Sequence, residues 1–141
     1  MAQIHFHSVD TDFKVGQPNF YHKWLLLVFE HFNYHLGEIN FIFCNDEYLL
    51  ELNKKHLAHD YYTDIITFDY VVDRVVSGDL FISVDRLKDN ANQLKVDFKD
   101  ELDRVMAHGL LHLMGYSDNT EAKQREIRAQ EDFCLTLRSE I

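Results

Sequence analysis

The stretch His108-Gly109-Leu110-Leu111-His112-Leu113-Met114-Gly115-Tyr116-Ser117-Asp118 holds the residue types best suited to chemistry in this chain. His108 and His112 are four positions apart. On a helix that is about one turn, ~6 Å along the axis, with both side chains on one face. Two imidazoles so placed can reach a single ion. Gly115 can adopt a left-handed conformation that turns the chain back and brings Asp118 toward the same point as a third ligand. Two imidazoles and one carboxylate, with a fourth position open to water, suit zinc most simply. Each feature also has a plainer explanation. In a chain with nine histidines an i, i+4 pair arises easily by chance. Gly115 works as an ordinary helix stop, and Asp118, with Glu121 three residues on, has the form of a helix N-cap. The combined H-x3-H-x2-G-x2-D spacing is more specific than its parts and favours a metal site at the end of a helix.

Such a site needs a helix that ends near residue 114 and a scaffold beneath it. From Phe98 onward, Leu102, Val105, Met106 and Leu110/Leu113 fall on one stripe, which predicts the ligand-bearing helix with Gly115 as its stop. A last helix is predicted from about Thr120 to Leu137, carrying Ile127, Phe133/Cys134 and Leu137. Upstream, residues 4–9 read as a strand. Pro18 opens a helix whose apolar residues Phe20/Tyr21, Trp24, Leu27/Val28 and Phe32 recur every three to four positions, with Gly37 following its end. Residues 38–44 form a second predicted strand. Asn45 caps a helix over roughly 46–56, with Tyr48, Leu49 and Leu52 on its apolar face. Strands follow at 64–70 and, after Gly78, at 80–84, and Asp85 caps a short helix reaching about Leu94. No repeat, low-complexity stretch or Pro/Gly/Ser-rich seam divides the chain. Residues 1–141 are therefore read as a single α+β domain, a mixed sheet of about four strands packed with about five helices. Periodicity leaves the strand order open.

Composition narrows the function classes. The 141 residues, 46% of them hydrophobic, suffice for one continuous core. The longest apolar run, Trp24 to Phe29, is far short of the ~20 residues that cross a bilayer, and the first residues show no secretory signal. Cys44 and Cys134 form no metal-type pair and read as reduced, buried thiols of a cytoplasmic protein. With 14 basic against 24 acidic side chains, the net charge of −10 argues against a broad nucleic-acid-coating surface, though not against a local basic groove.

The ligand spacing equals that of the metzincin peptidases, H-E-x-x-H-x-x-G-x-x-H, with one decisive departure: their general-base Glu is Gly109 here. Without that carboxylate, neither water activation nor protonation of an amine leaving group has an agent, so a peptidase is the second choice. The stretch resembles instead H-G-x-L-H-L-x-G-Y-D-H, the signature of the YbeY family of bacterial ribosome-associated endoribonucleases. Leu52-Asn53, Thr63-Asp64-Ile65-Ile66-Thr67-Phe68 and Gly78-Asp79-Leu80-Phe81-Ile82-Ser83 are similar to that family's L-N, T-D-V-L-S-F and G-D-I-x-I-S segments. The match runs in register over roughly residues 50–118.

The resemblance implies a zinc-dependent, single-strand-specific endoribonuclease, one Zn2+ per chain, acting on ribosomal RNA at the small subunit in 3′-end maturation and ribosome quality control. Its ligands fall on His108, His112 and Asp118. The family's usual third His is Asp here, whose negative charge makes the ion a slightly weaker Lewis acid. The family's Arg before the T-D segment, thought to handle substrate phosphate, is Leu57, with Lys54, Lys55, His56 and His59 as nearby cationic or titratable side chains. Asp64 is a candidate partner for a zinc imidazole, against a plain turn or cap role. The alternatives are a metal hydrolase of another substrate, including a degenerate peptidase, and a non-catalytic ribosome assembly factor with structural zinc. An open fourth position separates enzyme from structural site, and neither cysteine stands at a spacing that would close it.

Overall fold

A computed structural model describes residues 3–58 and 61–141. Its elements run β1 (Gln3–Ser8), α1 (Pro18–His31), β2 (His35–Cys44), α2 (Asp46–Leu57), β3 (Ile65–Asp69), β4 (Val75–Ser83), α3 (Val84–Leu94), α4 (Phe98–Leu113) and α5 (Glu121–Thr136), closed by a 3-10 turn (Leu137–Glu140). The four strands form one sheet in the order β1-β2-β4-β3. β1, β2 and β4 are parallel, with Phe6 opposite Phe41 and Phe41 opposite Leu80, while β3 pairs antiparallel to β4 with Thr67 opposite Leu80. The sheet is mixed, and β3 is an edge. Among the described residues, the expected α+β architecture of about four strands and about five helices is the one observed.

The period-2 alternation of the central strands sorts their side chains between two faces. Ile39, Phe41 and Phe43 of β2 and Leu80 and Ile82 of β4 point into the main core. There they meet Trp24, Leu25 and Val28 of α1, Met106 and Leu110 of α4, and Ile127 and Cys134 of α5. A smaller cluster of Cys44, Leu49 and Ile66, with Tyr48, Leu52 and Phe81 against it, forms where α2 covers the opposite face. Trp24 Nε1 donates to the Cys134 carbonyl at 2.9 Å, tying α1 to α5. Cys44 and Cys134 are free, buried thiols, and burial pushes both up to about 12.

Two local expectations need correction. Gly37 does not stop α1; the chain turns at Asn33 (φ 62°), and Gly37 lies inside β2. A Cβ there would press on Ser77 Oγ and lie 2.9 Å from the Val76 carbonyl, so the glycine permits close strand pairing. Asp85 is not the cap of α3. β4 runs straight into the helix, so Ser83 holds the N-cap and accepts from the Arg86 amide at 3.2 Å. Asp85 instead accepts from the Asp46 amide at the start of α2. The plainer alternative for Asp118, the cap of α5, is not the one observed: Thr120 holds that place, its hydroxyl accepting from the Lys123 amide at 3.1 Å. Asn45 does cap α2, accepting from the Tyr48 amide.

Candidate metal centre

Helix α4 buries Leu102, Val105, Met106, Leu110 and Leu111 and turns a second stripe, Arg104, His108 and His112, toward the edge of the sheet. These three recur every four residues and share one face. Gly109, between the two histidines, marks a close approach of α4 to the sheet. A Cβ there would lie 2.5 Å from Leu80 Cδ2 and 2.7 Å from Ile65 Cδ1. Position 109 faces apolar packing, so the metzincin glutamate has no counterpart in the cleft of this fold.

After Leu113 the chain closes in a Schellman turn. The Tyr116 amide donates to the Leu111 carbonyl and the Gly115 amide to the His112 carbonyl, both at 3.0 Å. Gly115 sits at φ 99°, a conformation that disfavours any side chain. Tyr34 donates its hydroxyl to the Met114 carbonyl, and Gln124 Nε2 donates to the Asp118 carbonyl at 3.0 Å, fixing both ends of the returning loop.

The loop brings Asp118 back over α4. His108 Nε2 and His112 Nε2 are 2.9 Å apart, and Asp118 Oδ2 lies 3.4 Å from the first and 3.7 Å from the second. Tetrahedral zinc with ligands at ~2.1 Å spaces its donor atoms ~3.4 Å apart, so this triangle fits one such ion after small adjustments. All three ligand atoms lie within 4.8 Å of one another, a grouping of His, Cys, Asp or Glu that occurs once among the described residues.

Sequence reasoning missed Glu131. This buried carboxylate on α5 receives His108 Nδ1 at 2.6 Å and Arg104 Nη1 at 3.1 Å. Its signal was present: Ile127, Glu131 and Cys134 share the stripe by which α5 packs, and an acid on an apolar stripe asks for a partner. Asp64, the residue considered for such a role, accepts from Asn90 at 3.3 Å, and the Glu131 carboxylate is the one hydrogen-bonded to His108. Burial raises the Asp64 carboxyl, partly opposed by the charge of His108. Burial lowers His108, but the hydrogen bond and charge of Glu131, with Asp118 and Asp64, outweigh it and leave the ring raised. His112 is lowered, by burial and by the charge of His108.

Two cavities flank the triplet. One, of about 380 Å³, is bordered by Glu101, Arg104, Gln124 and Arg128. The other, of about 310 Å³, is bordered by Asn53, Leu57, Tyr61 and Thr67 along the β3 edge. Asp64, Ile65, His108 and Asp118 line both, so the pair forms one cleft running past the candidate ligands. Leu57 faces this cleft, whereas Lys54, Lys55 and His56 are not among its lining residues; His59 lies outside the described residues.

Fold and site together define an α+β protein in which helix α4, its Schellman turn and the returning loop gather two imidazoles and a carboxylate at a cleft on the sheet edge. The chain belongs to the YbeY family: the family model for endoribonuclease YbeY matches residues 5–138. Curated relatives named endoribonuclease YbeY include one from Cytophaga hutchinsonii, 49% identical over 136 residues, covering 96% of this chain and 95% of the relative. Another, from Flavobacterium johnsoniae, is 46% identical and covers 92% and 94%; one from Porphyromonas gingivalis is 40% identical and covers 99% and 93%. A solution structure of a Thermotoga maritima protein matches with TM-score 0.67 at 20% identity, covering 96% of this chain and 89% of that one, a likeness of fold.

Proposed function

We propose that the chain is a zinc-dependent endoribonuclease that cuts single-stranded RNA, acting in the cytoplasm on ribosomal RNA at the small subunit, with His108, His112 and Asp118 as metal ligands. The observation that carries the reading is the convergence of these three donor atoms midway along an open cleft. Membership of a family named for endoribonuclease activity supports the RNA substrate. No described helix is long and apolar enough to cross a membrane.

When bound, zinc supplies a Lewis acid that neutralises developing phosphoryl charge and brings the pKa of water toward ~7. His108 and His112 would hold the ion through ring nitrogens and Asp118 through a carboxylate oxygen, a three-residue donor set of the kind that suits a catalytic rather than a closed structural zinc. Arg104 and Arg128 border the cleft on the α5 side. Arg104 is engaged by Glu131 and Asp132, so the more exposed Arg128 is the cation best able to meet a phosphate of the bound strand. Leu57 and Tyr61 give the opposite wall an apolar and aromatic character suited to unpaired bases.

Elemental analysis of tag-free protein is expected to find about one zinc per chain. The purified protein is expected to cut single-stranded but not double-stranded RNA, with loss on chelation and in His112→Ala. Equal cutting by His112→Ala would expose a contaminating nuclease and remove the basis for the assignment.

A further inference from the structure

Glu131 lines the cavity on the α5 side beside His108, and it is one of the residues through which α4 and α5 grip one another at this site. Its side chain is 5% exposed. One oxygen, Oε2, receives His108 Nδ1 at 2.6 Å, and the other, Oε1, receives Arg104 Nη1 at 3.1 Å. Arg104 and His108 are four apart on α4, so one turn of that helix clasps a single carboxylate from α5. Arg104 is in turn held by Asp132 at 2.7 Å, and Arg128 Nη1 stands 3.8 Å from Glu131 Oε1.

We propose that Glu131 is a positioning residue, which fixes His108 as the Nδ1–H tautomer and so turns the Nε2 lone pair toward His112 and Asp118. An ionised carboxylate only accepts hydrogen bonds, so the ring atom facing it must carry the proton. In the neutral ring the other nitrogen is then left bare, and that nitrogen is the one pointing at the centre. Arg104 serves the same end by occupying the second oxygen, which keeps the carboxylate from rotating away from His108. The 2.9 Å contact between the two Nε2 atoms is compatible with this assignment, because a bare Nε2 on His108 can accept from His112. This inference rests on the metal-site reading above, but concerns a ring orientation that exists without metal.

The tautomer can be read directly from long-range proton–nitrogen correlation spectra of metal-free wild type, at a pH where the ring is neutral. The expected spectrum has a protonated Nδ1 and an unprotonated Nε2 on His108. The opposite tautomer in the wild type overturns the proposal without any variant. Glu131→Gln supplies the second arm. An amide has one acceptor oxygen where the carboxylate has two, so Arg104 and His108 can no longer each meet an oxygen of their own. If its oxygen turns to Arg104, its NH2 group confronts His108 Nδ1 and favours the Nε2–H tautomer, which cannot ligate. Zinc affinity, measured by competition with a chromophoric chelator, is expected to fall about 10- to 100-fold in Glu131→Gln, together with a change in the His108 nitrogen shifts. Unchanged affinity and shifts in this variant would overturn the proposal, and so would lowered thermal stability with both readouts intact, which marks a packing role only. Should wild type show the assigned tautomer yet bind no zinc, the metal reading fails while the tautomer assignment stands.

Discussion

Gly109→Ala probes how α4 is seated on the sheet. A methyl at this position would lie 2.5 Å from Leu80 Cδ2, 2.7 Å from Ile65 Cδ1 and 3.4 Å from Thr67 Cγ2, where apolar carbons normally rest at ~3.5–4.0 Å. Leu80 is wholly buried and has little room to retreat, whereas Ile65 borders the cleft and yields more easily. Overpacking of this kind costs about 1–3 kcal/mol. Replacing a helical glycine by alanine returns about 1 kcal/mol. The net expectation is a loss of about 1 kcal/mol, or a Tm lower by about 4 °C for a chain of this size. Thermal and urea melts of the metal-free proteins measure it, the urea midpoint falling at unchanged m. A variant more stable than wild type would refute the reasoning, because it would mean that α4 does not press on β3 and β4 at this point. The same geometry bears on the peptidase alternative. Gly109→Glu restores H-E-x-x-H letter for letter, but sends a carboxyl between Leu80 and Ile65, where burial without a partner costs about 2–7 kcal/mol even in the neutral form. The expected product is a poorly folded protein without peptidase activity, and a stable variant that cleaves peptides would contradict this picture.

Three further outcomes are expected. Asp118→Asn and Thr120→Ala should separate ligand from cap. The first should lower zinc affinity by more than the about 10–100-fold of losing an outer hydrogen-bond partner, with metal-free stability within about 0.5 kcal/mol. The second should cost about 1 kcal/mol of stability at unchanged zinc affinity. Chelator competition and thermal melts read both variants, and an affinity loss confined to Thr120→Ala would reverse the assignment. Leu57→Arg places a guanidinium on the cleft wall opposite Arg128 and should tighten single-stranded RNA binding with a steeper salt dependence; identical binding isotherms across salt would mean that phosphate contacts lie elsewhere. At pH 8, Cys44 and Cys134, pushed up from the ordinary 9.0 to about 12, should react with an alkylating reagent about a thousandfold more slowly than free thiols, since only the thiolate attacks. Rate rises with pH as the thiolate forms, and denaturant should release both sites at once. Rapid labelling of the native protein would show that one is accessible.

The sequence by itself determined the local content of this protein. Apolar periodicity marked α4 and the strands, Asn45 marked a cap, and the His108, His112, Gly115 and Asp118 spacing marked the candidate centre, because helix periodicity and left-handed glycine turns depend on near neighbours. Its local errors, at Gly37 and Asp85, fell where a residue's role is set by a strand or helix remote in sequence. Only the tertiary structure decided the sheet order, with β3 reversed at the edge so that it walls the cleft, and only it showed that Thr120 takes the cap and leaves the Asp118 carboxylate to face two imidazoles. Glu131 belongs to the same class. Its acid on a buried stripe was visible in the sequence, but its partners lie 23 and 27 residues away on another helix. Hydrogen bonds of that kind form when packing excludes water and leaves the charge no other partner, and no local pattern encodes which side chain will be there to meet it.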